Sequence, residues 1–464
     1  MPENLASSTP SSPTISLFRD QSIARRATEM LVRQQRLIAK GGALDYDQKP
    51  WGLLYQAMIN MLGLSPANYQ MVYPFTSWDW PTQTVGFIGS AQYDFCATVP
   101  LWSAVGAYAS SGDRFNMAYQ QFLNVIAAAT SDPVLRQRIA TLGEALTQAT
   151  NDYMITYQQA SLAYQSDSAV KDNTPTFEQW LGSFAGAPWK IKLGAAAKNM
   201  EQAQKNYDSA VAEANTPGLA DAQVQFKNEL FYSKLNDPNL SGFPPVPNWS
   251  IPLSSSQWVD RVKAGNGPAG GAVSFQNRDQ SYDYSNTWAK GSLSIQQIFW
   301  EVKLSGGWER ITEFETDQSL NVSVQMEAID LIGIQPSDWY NGPFVKSMAK
   351  GPFVRGYSAY GGDGTQAVFG QSGFMNLLKT GMYVCYKPTF TITVSQSTFQ
   401  SFSQKFTAAL GLRIGPFEFE AKGGSVQSEW TASENGLSFT GTSTSEQPLI
   451  FGITVAQLPS QSST

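Results

Sequence analysis

The chain has 464 residues, of which 42% are hydrophobic, 12% aromatic and 15% charged, and its formal net charge is −6 at pH 7. A charged fraction below the usual value of about 25% leaves a surface of uncharged polar side chains, which favours self-association, and the acidic balance excludes a nucleic-acid-binding protein. The absence of histidine excludes Ser-His-Asp and Cys-His catalysis, zinc bound by imidazole and proton transfer by imidazole near neutral pH.

The chain starts with a polar tail, residues 1–15, that is rich in Ser and Pro. This tail lacks the apolar core of a signal peptide, and no stretch approaches the ~18 apolar residues that span a bilayer. We therefore expect a soluble protein made in the cytoplasm and, if it acts outside its cell, released without a signal peptide. Apolar residues at helical spacing then predict an amphipathic helix over 22–42, and a second, apolar helix is predicted over 51–64.

Two long helices are predicted between residues 133 and 214. Pro133 follows a Ser-Asp pair, a combination typical of a helix start, and the second helix begins near Pro188. In both helices apolar residues recur at alternating spacings of three and four, the pattern of a coiled-coil seam. The helices would be ~50 and ~40 Å long, and their seam alanines favour close antiparallel packing. The pattern thus predicts a helical domain over 16–235 with an antiparallel coiled-coil-like hairpin over 133–214.

The connection between these helices contains a strongly apolar stretch, FEQWLGSFAGAPWKIKL, at 177–193, which we call the tip. Its first part has apolar residues at positions i, i+3, i+4 and i+7, which predicts a short helix with one apolar face, and Gly-Ala-Pro then breaks the chain. Two lysines follow in the first turn of the second long helix, where the helix dipole disfavours cations, so that anionic lipid headgroups would be one partner for them. The residues predicted to anchor the protein to a membrane or a partner are Phe177, Trp180, Leu181, Phe184, Trp189 and Ile191, with Lys190 and Lys192 as the basic flank.

Dense prolines and a change of period mark the second half of the chain. Residues 236–256 contain SGFPPVPNWSIP, where proline stops both helix and central strand, so they are predicted to form a linker. Beyond them the apolar period changes from 3.6 to 2, with Gly and Asn turn signals between the stretches. This predicts an antiparallel β-sandwich-like domain over 257–458 and a tail over 459–464. The predicted fold class is therefore α+β, with helices before residue 236 and strands after it.

Few groups in the sequence suggest catalysis or metal binding. Cys96 and Cys385 lie in aromatic and apolar stretches, where a thiol ordinarily behaves as a small buried hydrophobe, and a disulfide between them is the less favoured alternative. Glu313 and Glu315 would share one face of a strand, which fits the paired acids of a glycosidase but is more typical of a solvated strand face. The glycine-rich stretch at 265–274 lacks the Lys-Ser/Thr of a phosphate-binding loop and is predicted as a plain loop. No cofactor and no metal is predicted.

Three functions remain open from the sequence. A long helical hairpin with an apolar tip beside a globular body is similar in outline to α-helical pore-forming toxins, and this resemblance implies a non-enzymatic protein that self-associates or inserts into a membrane. The alternative is an assembly protein whose β domain binds glycans or a protein partner through a candidate ligand loop, for which we select Trp308, Trp339 and Tyr340. The third is an enzyme that uses Asp, Glu, Lys or Tyr. Solvent exposure of the tip aromatics discriminates among these functions, because exposed aromatic residues at such density need a partner or a lipid.

Overall fold

The structure is a computed structural model that describes most of the chain. The described residues are 44–73, 80, 86–100, 107–108, 110–127, 133–166, 180–214, 218–236, 245–279, 298–362, 364–420, 428–433 and 437–459. The predicted helix over 22–42 and the N-terminal tail lie outside them. Helices and antiparallel sheets both occur in the described part, which confirms the predicted α+β class.

Local sequence signals account for several helix ends. The α-helices in the described ranges, α1 to α10 in chain order, are Leu44–Leu62, Ser90–Ala97, Phe115–Val125, Pro133–Ser166, Ala187–Ala214, Leu219–Lys227, Ser255–Lys263, Glu313–Thr316, Gly342–Ser347 and Gln396–Thr407. The predicted helix over 51–64 is confirmed as part of α1. Helix α4 begins at Pro133 as predicted, because proline at the first helical position needs no backbone hydrogen bond. Helix α7 begins with a capping box, in which the Ser254 and Gln257 side chains each accept a hydrogen bond from the other residue's backbone N–H.

The strands are short, and many alternate between buried and exposed residues. The strands β1 to β23 are Tyr69–Val72, Phe87–Ile88, Thr98–Pro100, Ala107–Tyr108, Ser110–Arg114, Tyr232–Leu235, Val246–Pro247, Trp249–Ser250, Gly271–Gln276, Trp300–Leu304, Gly307–Arg310, Asn321–Met326, Ala328–Gly333, Gln335–Pro336, Tyr357–Ser358, Gln366–Ala367, Leu377–Tyr386, Thr389–Thr393, Gly411–Ile414, Phe417–Glu420, Ser428–Ala432, Ser438–Ser443 and Leu449–Gln457. The prediction of a loop over 265–274 is wrong for the last four residues, which belong to β9 and pair with β12. Glycine suits this strand because a Cβ at Gly271 would lie only 2.9 Å from the Ile329 side chain.

One five-stranded sheet joins the first and the last strands of the described residues, in the order β13-β17-β23-β1-β4. Strand β1 pairs antiparallel with the last strand, β23, with Tyr69 opposite Thr454, and it pairs parallel with β4 on its other side. One hydrophobic cluster also draws residues from both sides of the predicted linker over 236–256. The domain boundary stays a prediction, and the segments on its two sides share a sheet and a core.

Two further sheets are antiparallel throughout. Their strand orders are β21-β22-β18-β12-β9 and β11-β10-β19-β20. In the four-stranded sheet, Glu301 of β10 lies opposite Arg413 of β19. This register places a buried carboxylate next to a buried guanidinium, and the two form the ion-pair cluster described below.

The main core is rich in aromatic rings. Six fully buried tryptophans belong to it: Trp51, Trp80, Trp249, Trp258, Trp300 and Trp339. Trp249 lies within the predicted linker, and its ring centroid is 5.8 Å from that of Trp339. Cys96 and Cys385 are both buried and unpaired, which confirms the prediction that they behave as small hydrophobes.

The two long helices, α4 of 34 residues and α5 of 28 residues, pack against each other, and we call this pair the arm. Near one end Arg138 of α4 forms an ion pair of 2.9 Å with Glu213 of α5, and Gly143 faces the ring of Tyr207. Past this point the arm has a second hydrophobic cluster, separate from the main core, with Met117 of α3 at its edge. The buried members of this second cluster are Tyr153, Ala160, Tyr164, Trp180, Leu181 and Leu193.

Candidate functional site

The described part of the tip, residues 180–193, forms a tight turn that leads into α5. The Ser183 N–H donates to the Trp180 carbonyl at 2.8 Å, and the Ala187 N–H donates to the Ser183 carbonyl at 2.8 Å. A Cβ at Gly186 would lie 1.9 Å from the Trp180 carbonyl oxygen, so only glycine fits where the chain turns back on itself. The turn is therefore set by the Gly-Ala-Pro break that the sequence shows.

The inner side of the tip is buried in the second cluster. Trp180 is 3% exposed, Leu181 is also buried, and the ring of Tyr164 meets that of Trp180 edge to face at 5.6 Å between centroids. At rest, these two predicted anchor residues hold the tip against the arm. A contact of Trp180 or Leu181 with a partner thus requires the second cluster to open.

The outer side of the tip is apolar and basic and faces solvent. Phe184 is 99% exposed and Ile191 is 73% exposed. Lys190 and Lys192 are exposed beside them, and Trp189 is half-buried with the Lys192 Nζ atom 4.6 Å from its ring centroid. Phe177, the sixth predicted anchor residue, lies outside the described residues. The structure thus divides the predicted anchor set into a buried pair and a solvent-facing group.

Burial contradicts one of the three residues of the candidate ligand loop, Trp339. Trp339 is 0% exposed and donates its Nε1 hydrogen to the Asn248 carbonyl oxygen at 2.6 Å. Tyr340 is partly buried, with its ring centroid 4.9 Å from that of Tyr119. Because a ring enclosed by other rings has no free face on which a sugar can stack, Trp339 is a core residue and not part of a binding surface.

The third predicted ligand residue, Trp308, belongs to a buried ionic cluster that the sequence does not reveal. The Arg413 guanidinium lies 3.9 Å from the Trp308 ring centroid and donates to Glu301 at 2.5 Å and to Glu418 at 2.6 Å. The Tyr73 hydroxyl donates to the same Glu301 oxygen, Oε2, at 2.5 Å. Burial lowers the pKa of Arg413, but Tyr73 and the two carboxylates together raise it above its ordinary value. Both carboxylates are bound to a fixed cation, which favours a structural role over acid–base catalysis.

The prediction that the two glutamates considered for glycosidase chemistry share one face of a strand is wrong. Glu313 and Glu315 lie in the short helix α8 and not on a strand. Each has its own cation: Lys405 donates to Glu313 at 2.8 Å, and Arg310 donates to Glu315 at 2.6 Å. Burial raises the pKa of Glu313, but the hydrogen bond from Lys405 and further contacts outweigh it, so the pKa is lowered overall. A carboxyl group with a lowered pKa stays ionised near neutral pH and is a poor general acid.

A buried lysine is a second group that sequence patterns miss. Lys379 on β17 is 1% exposed, and its Nζ atom donates to the Phe95 carbonyl oxygen and, at 3.2 Å, to the Tyr108 hydroxyl. Its nitrogen also lies 4.4 Å and 4.7 Å from the centroids of these two rings. Burial lowers the pKa of Lys379 to about 7, and burial likewise raises the pKa of the nearby Cys96 to about 12. Strongly perturbed pKa values are typical of active sites, but this amine is enclosed and links β17 to α2 and β4.

Neither a metal site nor a membrane-spanning helix is found in the part of the chain that the structure describes. There, no group of three or more His, Cys, Asp or Glu side chains is placed to hold a metal ion, and none of the helices combines the length and the apolar character that crossing a membrane requires. Comparison with known proteins gives no match to a family model, to a curated protein or to a solved structure.

Proposed function

We propose that the protein is a non-enzymatic, membrane-active protein that contacts lipid through the outer side of the tip. The observation that carries this proposal is the exposure of two large apolar side chains of the tip, Phe184 at 99% and Ile191 at 73%. Leaving a large apolar side chain in water forgoes roughly 1.5–3 kcal/mol relative to burying it. Two such residues beside Lys190 and Lys192 form an apolar and basic surface of the kind that lies at a lipid interface.

The arm supports the proposal because the tip packs on a hydrophobic cluster distinct from the main core. We propose that α4 and α5 form the coiled-coil-like hairpin expected from their heptad spacing and that the C-terminal sheets form a sandwich-like body. The Arg138–Glu213 ion pair and the Gly143–Tyr207 contact agree with an antiparallel register. The second cluster gives the far part of the arm its own small core.

We further propose two stages of engagement, in outline like those of pore-forming toxins. In the first stage Phe184 and Ile191 bury their exposed side chains in the lipid interface. In the second stage the second cluster opens, and Trp180 and Leu181, buried at rest, join the contact. Self-association of the membrane-bound protein would follow from its weakly charged surface.

Vesicle binding tests the proposal. We would measure co-flotation with vesicles of phosphatidylcholine alone and of phosphatidylcholine with phosphatidylserine, and dye release from the same vesicles. Phe184→Asp is expected to weaken binding at least tenfold, the equivalent of about 1.4 kcal/mol. Leu230→Asp is the matched control, because Leu230 is 83% exposed and lies outside the arm.

Three outcomes decide whether the tip contacts lipid. Binding that Phe184→Asp weakens and Leu230→Asp leaves intact supports the tip as the lipid contact. Absence of wild-type binding to both vesicle types overturns the proposal. Oligomers that form without vesicles and dissociate in Phe184→Asp, measured by sedimentation velocity, would assign the tip to a second copy of the chain instead.

A further inference from the structure

A cavity of about 340 Å³ lies where the arm leaves the body. Its walls are the first two turns of α4, the residues that follow α3, and the extended segment 353–355. Two backbone hydrogen bonds of 2.8 Å join the C-terminal end of α3 to the chain around Phe353, from Val354 N–H to the Val125 carbonyl and from Ala127 N–H to the Pro352 carbonyl. This volume falls at the lower end of the range of about 300–1,000 Å³ in which small molecules are bound.

The charged residues of the lining are cationic, and Gln137 is a neutral polar residue beside them. Arg136 of α4 and Arg355 of the extended segment both line the cavity, and no carboxylate is among its described lining residues. Arg355 is exposed and makes no ion pair or hydrogen bond with any other residue in the described ranges. The cavity also lies at the start of α4, where the helix dipole adds positive potential.

The rest of the lining is largely apolar. Ile139 and Val354 are buried, and Phe353 is half-buried and packs against the main core. A guanidinium binds carboxylate and phosphate oxygens through two parallel N–H donors. The site therefore combines two planar cations with an apolar wall, which fits an amphipathic anion better than an inorganic ion.

We propose that this cavity binds a small organic anion, with its carboxylate or phosphate held by Arg136 and Arg355 and its apolar part packed against Ile139 and Phe353. Such a ligand bridges the arm and the body, because it contacts α4 on one side and the segment 353–355 on the other. The proposal does not depend on lipid binding by the tip.

Isothermal titration calorimetry with three eight-carbon probes tests the site. Octanoate and octyl phosphate carry the two headgroups, and 1-octanol carries none. Arg355→Gln and Arg136→Gln are each expected to weaken binding of the anions at least tenfold. The matched control is Arg138→Gln, which removes an exposed cation from the same helix but outside the lining.

The results show whether the cavity binds an anion and which headgroup it prefers. Binding of either anion that is weakened in both lining variants and kept in Arg138→Gln supports the proposal, and the tighter anion identifies the headgroup. The proposal is overturned if neither anion binds, if 1-octanol binds as tightly as octanoate, or if Arg355→Gln binds as tightly as the wild type.

Discussion

Replacing the buried lysine with methionine should change how stability depends on pH. In the folded protein the pKa of Lys379 is lowered by burial from its ordinary value of 10.5 to about 7. Between these two values the unfolded chain binds one proton more than the folded chain, so the free energy of unfolding rises with pH across this window. Below about pH 7 the amine is charged in both states and its destabilising effect is constant.

The magnitude follows from the two pKa values. The difference between 10.5 and about 7 corresponds to about 5 kcal/mol at 1.36 kcal/mol per pKa unit. Methionine has a similar unbranched stem and carries no charge, but it leaves the Phe95 carbonyl and the Tyr108 hydroxyl without the Lys379 donor. That loss costs roughly 1–3 kcal/mol, so Lys379→Met is expected to be about 2–4 kcal/mol more stable than the wild type near pH 7.

Urea unfolding from pH 6.5 to 9.5 measures the effect. The free energy of unfolding of Lys379→Met exceeds that of the wild type near pH 7, and this difference should shrink by about 3 kcal/mol between pH 7 and pH 9.5. The reason is that the wild-type amine becomes neutral in the folded state. Other titrating groups cancel in this comparison, since both proteins carry them. Lys350→Met, at an exposed lysine, should stay within about 0.5 kcal/mol of the wild type at every pH. A difference between the Lys379 variant and the wild type that stays constant over this range would falsify the reasoning.

Three further predictions concern stability alone. Glu301→Gln should destabilise the protein by about 3–5 kcal/mol in urea unfolding, because it leaves the buried arginine opposite it with one carboxylate fewer. Gly186→Ala should loosen the tip, since the new Cβ would clash with the Trp180 carbonyl, and faster proteolytic cleavage between α4 and α5 would reveal it. Arg138→Ala should lower the free energy of unfolding, measured in urea, by less than about 1 kcal/mol, because the ion pair of Arg138 with Glu213 is about half exposed.

Features with a local cause were predictable from the sequence. Helix α4 begins at Pro133 because proline suits the first helical position whatever surrounds it. The turn at Gly186 follows from the Gly-Ala-Pro break in the same way. The exposure of Phe184 was not predictable, because its spacing from Trp180 places both residues on one apolar face. Only the packing of Trp180 against Tyr164 decides which of the two is buried.

Features with a non-local cause were not predictable. The pairing of Tyr69 with Thr454 joins segments almost the whole chain apart, and strand alternation carries no information on partners of that kind. Trp339 looked like a displayed aromatic residue because it stands in a polar, turn-rich stretch. It is buried because rings from other elements, including Phe115 and Trp249, surround it. Likewise, nothing in the stretch around Lys379 shows that Phe95 will enclose its amine.

The two proposed contacts lie at opposite ends of the arm, which makes them separable. Arg136 lies in the first turn of α4 and Phe184 follows its far end, and a helix of 34 residues is about 51 Å long. Exposed charges are screened over about 8 Å at physiological salt, so a direct electrostatic effect between the two ends is excluded. Phe184→Asp should therefore leave octanoate binding unchanged, and Arg355→Gln should leave vesicle binding unchanged. If Arg355→Gln alters vesicle binding, the two sites are coupled through packing, and α3 offers the path: the Val125 carbonyl at its end accepts from the Val354 N–H, and Met117 packs against the second cluster.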